Sequence, residues 1–362
     1  MKAYFTLIFL VLSLNMISQT IKDSLDKIIN DHHISTGLSY SLLVAHNGNI
    51  VYQNSFGSNT LGGSDTCDKK SNYRMASVSK QFTAAAIYLL IKQKKLDLKQ
   101  TLKDFFPDFS EVGGSITIDQ LLSHSSGVYD YEELQNDTLT RQLSDFDILN
   151  MVKPINKTYF TPGTKFRYSN TAYCLLALIV EKASGQSFAD FTNRYIFKPL
   201  KMNTTEWYGA DIKNRVYGYA RNKEGKIEFR DQSITSATLG DGGLYTSLSD
   251  YYRWYKNRKR VLGIDISEMI HLSSKSIFND YSYSFGWFYE KKGSKLKTLL
   301  HSGATCGFSN IVIEIPATQS VITYFTNLAD NHNSFLPIEK ILISSKILPV
   351  NFSYRIMHDE TH

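Results

Sequence analysis

Four apolar, aromatic-rich stretches in the C-terminal third place the strongest constraint on the fold of this 362-residue chain. Short segments with turn-forming residues, such as Pro316-Ala317-Thr318, separate these stretches. Connections this short join antiparallel neighbours, whereas parallel strands need long crossovers. The pattern therefore predicts an antiparallel meander with strands at Tyr283–Glu290, Lys297–Ser302, Gly307–Ile315 and Ser320–Asn327.

A second pattern predicts an N-terminal hairpin. Residues 39–46 and 49–56 flank Asn47-Gly48, a dipeptide typical of two-residue hairpin turns. The simplest assembly places this hairpin and the meander in one antiparallel sheet and covers the sheet with terminal helices, the last at residues 335–346. We therefore expect an α+β fold (an α/β sandwich) in which helices flank an antiparallel β-sheet.

The middle of the chain is predicted to be mainly helical. Thr117 and Gln120 have the spacing of a capping box. The apolar run Asn170–Ala183 ends before Gly185, a residue typical of helix C-termini. We expect a discontinuous sheet region at residues 19–100 and 225–350, with a helical region inserted at residues 101–224, and expect the two to form one unit.

The first 18 residues have the composition of a secretory signal peptide. Lys2 precedes the apolar run Tyr4–Leu14, which is too short to span a bilayer. The alternative is a buried N-terminal helix. No cysteine lies near the cleavage region, which argues against a lipoprotein anchor. We expect an exported protein, periplasmic or secreted after cleavage, with no transmembrane segment in the mature chain.

Charge and cysteine content bear on the class of partner. The net charge of +6 is mild for this length, and no basic-aromatic stripe indicates nucleic-acid binding. Cys67, Cys174 and Cys306 have no metal-ligand spacing. Export permits one disulfide, but the sequence does not select its pair. We expect a monomer without a cofactor, a metal or nucleic acid.

The motif Ser77-Val78-Ser79-Lys80 places a hydroxyl and an ammonium group at the start of a helix predicted over residues 77–95. Three residues make nearly one helical turn, so Ser77 and Lys80 share a face. A partly desolvated lysine can take the proton of a serine or stabilise its alkoxide. An isolated serine before a helix would instead be an N-cap, so the motif needs support from elsewhere in the chain.

Three further segments stand out. Tyr168-Ser169-Asn170 directly precedes the helix predicted from Asn170. His301-Ser302-Gly303 lies at the end of a predicted strand. The glycine cluster at residues 240–244 comes just before a helix start at Ser247.

With these motifs the chain resembles the serine β-lactamase and penicillin-binding-protein superfamily, in particular its branch of class C β-lactamases, D,D-peptidases and esterases. The matching segments follow the order of that family over roughly residues 35–330: Ser77–Lys80, Leu121–Gly127, Pro162-Gly163, Tyr168–Asn170, Gly242–Ser247 and His301–Gly303. The resemblance implies a β-lactamase/transpeptidase-like fold and hydrolysis through an acyl-serine intermediate.

The resemblance also implies a role for individual residues. Ser77 would be the acylated nucleophile, and Lys80 would hold a charge-stabilising contact to it. Tyr168 would exchange protons with Ser77 and the leaving group. Its ordinary pKa is about 10, so the charge of Lys80 would have to lower that value for base catalysis. Asn170 would donate a hydrogen bond to a substrate amide carbonyl.

An oxyanion hole is implied in the same way. The backbone N–H of Ala304, which follows Gly303, would pair with the N–H of Ser77 at the positive end of its helix. His301 occupies the position where the family often has lysine. A histidine is mostly neutral in mildly alkaline solution, but as a substrate-binding residue it could still donate a hydrogen bond. This difference weakens the case for a carboxylate-terminated peptide or a dedicated β-lactamase. Esters, amides, D-amino-acid peptides and β-lactams all stay open as the small-molecule or peptide substrate.

Two other functions compete with an exported serine hydrolase. A non-catalytic protein of the same fold would bind cell-wall peptide or a protein partner, but it would not need Ser77, Lys80 and Tyr168 together. A metalloenzyme would need a ligand pattern such as H-E-x-x-H, which the sequence lacks. Covalent labelling of Ser77 distinguishes the first alternative from the hydrolase.

Overall fold

A computed structural model describes residues 19, 21–135, 140–209, 211–273, 275–278, 281–293 and 295–354. The predicted signal peptide at residues 1–18 lies outside the described residues.

The helices and strands are labelled in chain order. The helical segments α1–α12 are residues 21–36, Lys80–Lys92, Leu102–Phe105, Glu111–Gly114, Ile118–Leu122, Asp145–Val152, Asn170–Ser184, Phe188–Thr192, Lys198–Leu200, Leu248–Leu262, Ile266–Met269 and Leu336–Ser344. The strands β1–β13 are Tyr40–His46, Asn49–Phe56, Tyr73–Arg74, Glu206–Trp207, Tyr219–Arg221, Ile227–Phe229, Leu244–Thr246, Lys275–Phe278, Tyr281–Ser284, Trp287–Lys292, Lys295–Thr305, Phe308–Ile315 and Ser320–Thr326. Short 3-10 turns lie at Ala76–Ser79, Tyr131–Leu134, Pro316–Thr318 and His332–Phe335.

One eight-stranded antiparallel sheet joins the two ends of the chain. Its strand order is β2-β1-β13-β12-β11-β10-β9-β8. Strand β1 pairs with β13, with Tyr40 opposite Thr326. The predicted union of the N-terminal hairpin and the C-terminal meander is therefore confirmed, as is the α+β fold with helices flanking an antiparallel sheet.

The hairpin turn between β1 and β2 follows from its dipeptide. Asn47 and Gly48 have φ angles of 51° and 76°. Positive φ at both central positions is the requirement of a type I′ turn, which matches the twist of the paired strands. This prediction is confirmed.

Helices cover both faces of the sheet. On one face, Tyr40 stacks on Tyr324, and Tyr324 contacts Phe335 just before α12. The next residue of β13, Phe325, points to the opposite face and contacts Tyr251 of α10. Alternation along β13 thus supplies apolar side chains to both helical layers.

The predicted strand Tyr283–Glu290 is wrong in one respect. The structure divides this segment between β9 and β10, with a turn at Phe285 and Gly286, whose φ angles are 48° and 79°. The flanking residues are apolar and aromatic on both sides, so the composition does not change at the turn. A β-carbon on Gly286 would lie 2.6 Å from the backbone nitrogen of Gln81, because the turn presses against the start of α2.

The helix ends in the central region follow their capping residues. Thr117 and Gln120 form the predicted reciprocal bonds of 2.9 and 3.2 Å. Gly185 ends α7 with a φ angle of 69°. After α7 the chain forms α8, which is followed directly by a π turn at Asn193–Phe197. The boundaries of the sheet region and of the inserted helical region stay a prediction.

Two further properties concern the described part of the chain. No helix there has both the length and the apolar composition needed to cross a membrane. Cys67, Cys174 and Cys306 are free thiols, and Cys174 is completely buried in α7.

Candidate active site

Ser77 lies in a 3-10 turn that leads directly into α2. The turn is Ala76–Ser79, and Ala76 has a φ angle of 47°. The side chain of Ser77 caps neither helix, because the N-cap residues are Met75 and Ser79. Ser77 is half-buried, and its hydroxyl oxygen accepts a bond of 3.0 Å from Lys80. The hydroxyl is therefore free of a capping role.

Lys80 is the centre of the polar network. Its side chain is completely buried, and its ammonium group donates to Ser77 Oγ at 3.0 Å, to Asn170 Oδ1 at 2.7 Å and to the carbonyl oxygen of Asp241 at 2.9 Å. The ammonium also lies 4.9 Å from the ring centroid of Tyr168. Burial lowers the pKa of Lys80, and the charge of Asp241 opposes that change.

Tyr168 completes the group around Ser77. Its hydroxyl oxygen is buried and forms no hydrogen bond with the described residues. Burial raises the pKa of Tyr168 well above 10, although the neighbouring Ser77 hydroxyl lowers it in part. The expected lowering by Lys80 is therefore not found. A free phenolate is unfavourable in this environment, because desolvation penalises the charged form.

Asn170 connects Lys80 to an acidic side chain. It is the first residue of α7, whose N-cap is Ser169. Its Oδ1 accepts from Lys80, and its Nδ2 donates to Glu132 Oε1 at 3.2 Å. The expected donation to a substrate carbonyl would use the same Nδ2, so a substrate would compete with Glu132 for it.

His301 lies in β11 and is almost completely buried. Its Nδ1 lies 2.6 Å from the carbonyl oxygen of Ser302, and its Nε2 lies 3.2 Å from the hydroxyl of Tyr283. Burial, together with the charge of Lys80, lowers the pKa of His301 to about 3. The ring is neutral at physiological pH, as expected. A carbonyl can only accept, so the single N–H is on Nδ1 and Nε2 accepts from Tyr283. The neutral ring therefore has no N–H left for a substrate.

Gly303 brings β11 against the Ser77 turn. A β-carbon at residue 303 would lie 2.1 Å from the carbonyl oxygen of Met75 and 3.3 Å from the β-carbon of Ala76. Ala304, the next residue, is exposed and pairs with Ser309 of β12. Ser77 and Ala304 are thus on adjacent segments, the arrangement that a shared oxyanion hole requires.

His124 packs behind the site. Its Nδ1 accepts from the backbone nitrogen of Ser169 at 3.2 Å, and its ring centroid lies 4.2 Å from that of Tyr168. Burial lowers its pKa well below the ordinary value. His124 thus supports the segment that leads into α7 through its bond with the Ser169 backbone.

Sequence reasoning missed the acidic residues around Lys80. Asp130 accepts from the backbone nitrogen of Asn170 at 3.3 Å. The Glu132 carboxylate reaches Asn170, and desolvation there, followed by the charges of Asp130 and Asp241, raises its pKa to about 7. Asp241 belongs to the glycine cluster already singled out, so its position was detectable. Asp130 and Glu132 had no pattern to mark them.

One buried group combines atoms that can ligate a metal. In the described part of the chain, ligand atoms of Asp145, Cys174 and Asp241 lie within 4.8 Å of one another. Asp145 already accepts from the backbone nitrogens of Leu239 at 3.0 Å and Gly240 at 3.2 Å. Each oxygen of the Asp145 carboxylate therefore already accepts a hydrogen bond from the protein backbone.

The prominent cavities lie away from Ser77. One of about 1000 Å³ is lined by Glu268, Lys297 and Pro349 among others. Another of about 450 Å³ is lined by residues that include Phe105 and Phe146. Neither contains a residue of the network around Lys80, so the chemical groups, not the cavity volume, identify the candidate site.

The chain matches a known family over most of its length. A family model described as Beta-lactamase matches residues 26–340. Penicillin-binding protein 4* of Bacillus subtilis is 30% identical over 306 residues, which cover 79% of this chain and 67% of that protein. The D-aminopeptidase of Brucella ovis is 29% identical over 279 residues, which cover 74% of this chain and 52% of that protein. This chain thus spans between half and about two thirds of the length of these relatives.

A solved structure has the same fold. The penicillin binding protein from Bacillus halodurans superimposes with a TM-score of 0.77 at 22% identity. The match covers 87% of this chain and 98% of that one.

Proposed function

This chain belongs to the Beta-lactamase family, and on that basis we propose that it is a serine hydrolase that forms an acyl-enzyme on Ser77. The observation that carries the proposal is the position of the Lys80 ammonium, which bonds both Ser77 Oγ and Asn170 Oδ1. A completely buried lysine with these partners can move a proton or stabilise an alkoxide at Ser77.

The proposed first step is attack of Ser77 Oγ on a carbonyl carbon. As the new C–O bond forms, the Ser77 proton passes to the Tyr168 oxygen while the Tyr168 hydroxyl proton passes to the leaving-group atom, and the Lys80 ammonium stabilises the developing charge on Ser77 Oγ. Because the pKa of Tyr168 is raised and that of Lys80 is lowered, this transfer is concerted with the attack and does not begin from a standing phenolate. Collapse of the intermediate breaks the bond to the leaving group, which receives the proton. Water then attacks the acyl-enzyme, and the same groups move its proton to Ser77.

The tetrahedral oxyanion is proposed to bind the N–H groups of Ser77 and Ala304. The close packing of Gly303 on Met75 supports this, because it keeps β11 beside the Ser77 turn. Each such donor contributes about 3 kcal/mol to stabilising the transition state.

The charges around Ser77 favour a substrate with a free amino group. His301 supplies no cation for a carboxylate, whereas Glu132 and Asp130 supply negative charge beside Asn170. An α-ammonium group would be attracted by this arrangement, and a substrate carboxylate would be repelled. The relationship to a D-aminopeptidase supports the same class. We therefore propose amides or short peptides of D-amino acids with a free α-amino group.

Acyl-enzyme formation is tested by mass spectrometry. An activated ester or a β-lactam should add one acyl group to the wild-type protein, and digestion should locate it on Ser77. Ser77→Ala should give no adduct, whereas Ser64→Ala, which changes an exposed serine, should be labelled like wild type. A wild-type protein that no probe labels would favour the non-catalytic, peptide-binding alternative.

The substrate class is tested with neighbouring glutamates. Glu132→Gln should lower kcat/KM for D-alanine p-nitroanilide about tenfold, because a charge-assisted contact is lost while the amide oxygen can still accept from Asn170. It should leave the N-acetylated substrate unchanged. Glu133→Gln is the matched control, since Glu133 pairs with Arg167 at 2.6 Å. Equal effects on both substrates would contradict amine recognition.

Export and oligomeric state are also proposals. Residues 1–18 would be removed on secretion, and the mature protein would be a monomer. N-terminal sequencing of the secreted protein and light scattering of the purified protein test these two points.

A further inference from the structure

The buried ammonium of Lys80 donates to three acceptors that carry no net charge. They are Ser77 Oγ, Asn170 Oδ1 and the backbone oxygen of Asp241. Lys80 has no exposed surface, and an ammonium that is buried without a counter-charge is strongly unfavourable. A carboxylate close to Lys80 is therefore required to keep it charged.

The side chain of Asp241 provides a held, buried carboxylate. Asp241 is only 6% exposed, and its Oδ2 accepts from the hydroxyl of Tyr131 at 2.9 Å. Its Oδ1 is buried and has no hydrogen-bond partner among the described residues. Tyr131 is itself fixed, because its backbone nitrogen donates to Thr171 Oγ1 at 2.8 Å. One oxygen of the Asp241 carboxylate is therefore held by Tyr131, and the other forms no hydrogen bond within the described part of the chain.

Gly240, directly before Asp241, allows this segment to approach α7, and Gly243 allows the loop to fold closely on itself. A β-carbon on Gly240 would lie 2.2 Å from the carbonyl oxygen of Tyr173. A β-carbon on Gly243 would lie 2.6 Å from that of Thr238. Because Gly240 avoids this clash with α7, the carbonyl oxygen of Asp241 can lie 2.9 Å from the Lys80 ammonium, which places the buried carboxylate of the same residue at this site.

Asp145 is a second buried carboxyl group close to Asp241. A ligand atom of each lies within 4.8 Å of the other and of Cys174 Sγ. Burial, and then the charge of Asp241, raises the pKa of Asp145 to about 7. Two carboxylates this close do not both ionise readily. The nearby charge of Asp241 thus disfavours the ionised form of Asp145.

Other titratable groups also face Lys80. They are Asp130 and Glu132 from the Tyr131 turn, Tyr173 and Cys174 from α7, Tyr168, His124, and His301 from β11. Among the charges that raise the pKa of Lys80, Asp241 has the largest effect, ahead of Cys174, Glu132 and Asp130.

We propose that Asp241 is the counter-ion of Lys80 and that the Tyr131 hydroxyl orients its carboxylate. Asp241 is then a positioning residue, because it acts on Ser77 only through Lys80. The catalytic consequence rests on the proposed function, whereas the charge pairing itself does not.

The pairing is tested by direct titration of Lys80. In protein labelled with ¹³C at the lysine ε-carbon, the Lys80 signal is assigned by its loss in Lys80→Gln. Asp241→Asn keeps the shape of the side chain and an oxygen that can accept from Tyr131, but it removes the negative charge. It should therefore lower the pKa of Lys80 by about one pH unit or more. Asp241→Ala should act in the same direction and serves if the asparagine variant does not fold. Glu133→Gln removes an exposed acid and should leave the pKa of Lys80 unchanged.

A second readout is the pH dependence of Ser77 acylation by a neutral activated ester. Its alkaline limb should move to lower pH in Asp241→Asn and follow the titration of Lys80. A titration shift without acylation of the wild type would refute the proposed function alone. A pKa of Lys80 that is the same in Asp241→Asn and Glu133→Gln would overturn the counter-ion assignment, whatever the activity.

Discussion

Gly303 lies so close to Met75 that a β-carbon at residue 303 would come within 2.1 Å of the Met75 carbonyl oxygen. Met75 precedes the turn that holds Ser77, and Gly303 precedes Ala304 in β11. This contact joins the segment of the nucleophile to the segment of the second oxyanion donor. The geometry of the proposed oxyanion hole therefore depends on the absence of a side chain at residue 303.

Gly303→Ala should reduce acylation of Ser77 about a hundredfold, because a displacement of about 1 Å between the two segments misaligns the reacting groups. It should also lower the free energy of unfolding by about 1–3 kcal/mol through overpacking. Gly242→Ala is the matched control: its β-carbon would meet Ala76 at an ordinary 3.7 Å. Labelling kinetics and urea denaturation check both effects. If Gly303→Ala had the acylation rate and the free energy of unfolding of the wild type, the predicted dependence of the site on this contact would be wrong.

Tyr168→Phe should separate activity from stability. The Tyr168 hydroxyl has no hydrogen-bond partner among the described residues, so its removal should change the free energy of unfolding by less than about 0.5 kcal/mol. Loss of the proton carrier should lower kcat/KM by about a hundredfold or more.

The reverse pattern is expected for Tyr52→Phe. Tyr52 donates to Asp26 at 2.7 Å, far from Ser77 in the N-terminal hairpin, so its loss should cost about 1.5 kcal/mol or more and leave kcat/KM intact. Ester hydrolysis and urea denaturation of both variants provide the comparison. Equal activity losses would contradict a specific role for Tyr168.

His301 should make the protein less stable in acid. Its pKa is about 6.5 in the unfolded chain and about 3 in the folded protein, so between these values the unfolded chain binds a proton that the folded one does not. The free energy of unfolding should fall by about 1.4 kcal/mol for each pH unit below about 6.5. His301→Gln should make this slope shallower by about 1.4 kcal/mol per pH unit and leave the contribution of His124, whose pKa burial also lowers, whereas His271→Gln, at an exposed residue, should keep the full slope. Parallel pH profiles for wild type and His301→Gln would refute the prediction.

Amine recognition should itself depend on pH. The pKa of Glu132 is about 7, so its carboxylate gains charge as pH rises through that value. Relative to the N-acetylated substrate, kcat/KM for D-alanine p-nitroanilide should therefore fall as the pH drops below about 7 and level off about tenfold lower, as in Glu132→Gln. The ratio of the two substrates should become flat in Glu132→Gln. A ratio that varies equally in both proteins would assign the titration to another group.

Local patterns predicted most of the secondary structure. Asn47-Gly48, the Thr117–Gln120 box and Gly185 each determine their turn or helix end through backbone preferences that act within a few residues. The division of Tyr283–Glu290 at Gly286 was not predicted, because the aromatic residues continue through the turn. Its cause is packing against Gln81, about 200 residues earlier in the chain, which no local pattern records.

The sequence by itself determined the antiparallel strands, the helix ends and the set of motifs that includes Ser77, Lys80 and Tyr168. Tertiary structure alone decided the electrostatics of the site. Lys80 bonds Asn170, which is 90 residues later in the chain, and Asp241, which is 161 residues later. Burial among these residues lowers the pKa of Lys80. Desolvation and Coulomb energies depend on distances in space and on exposure, which residue types and their spacing do not specify.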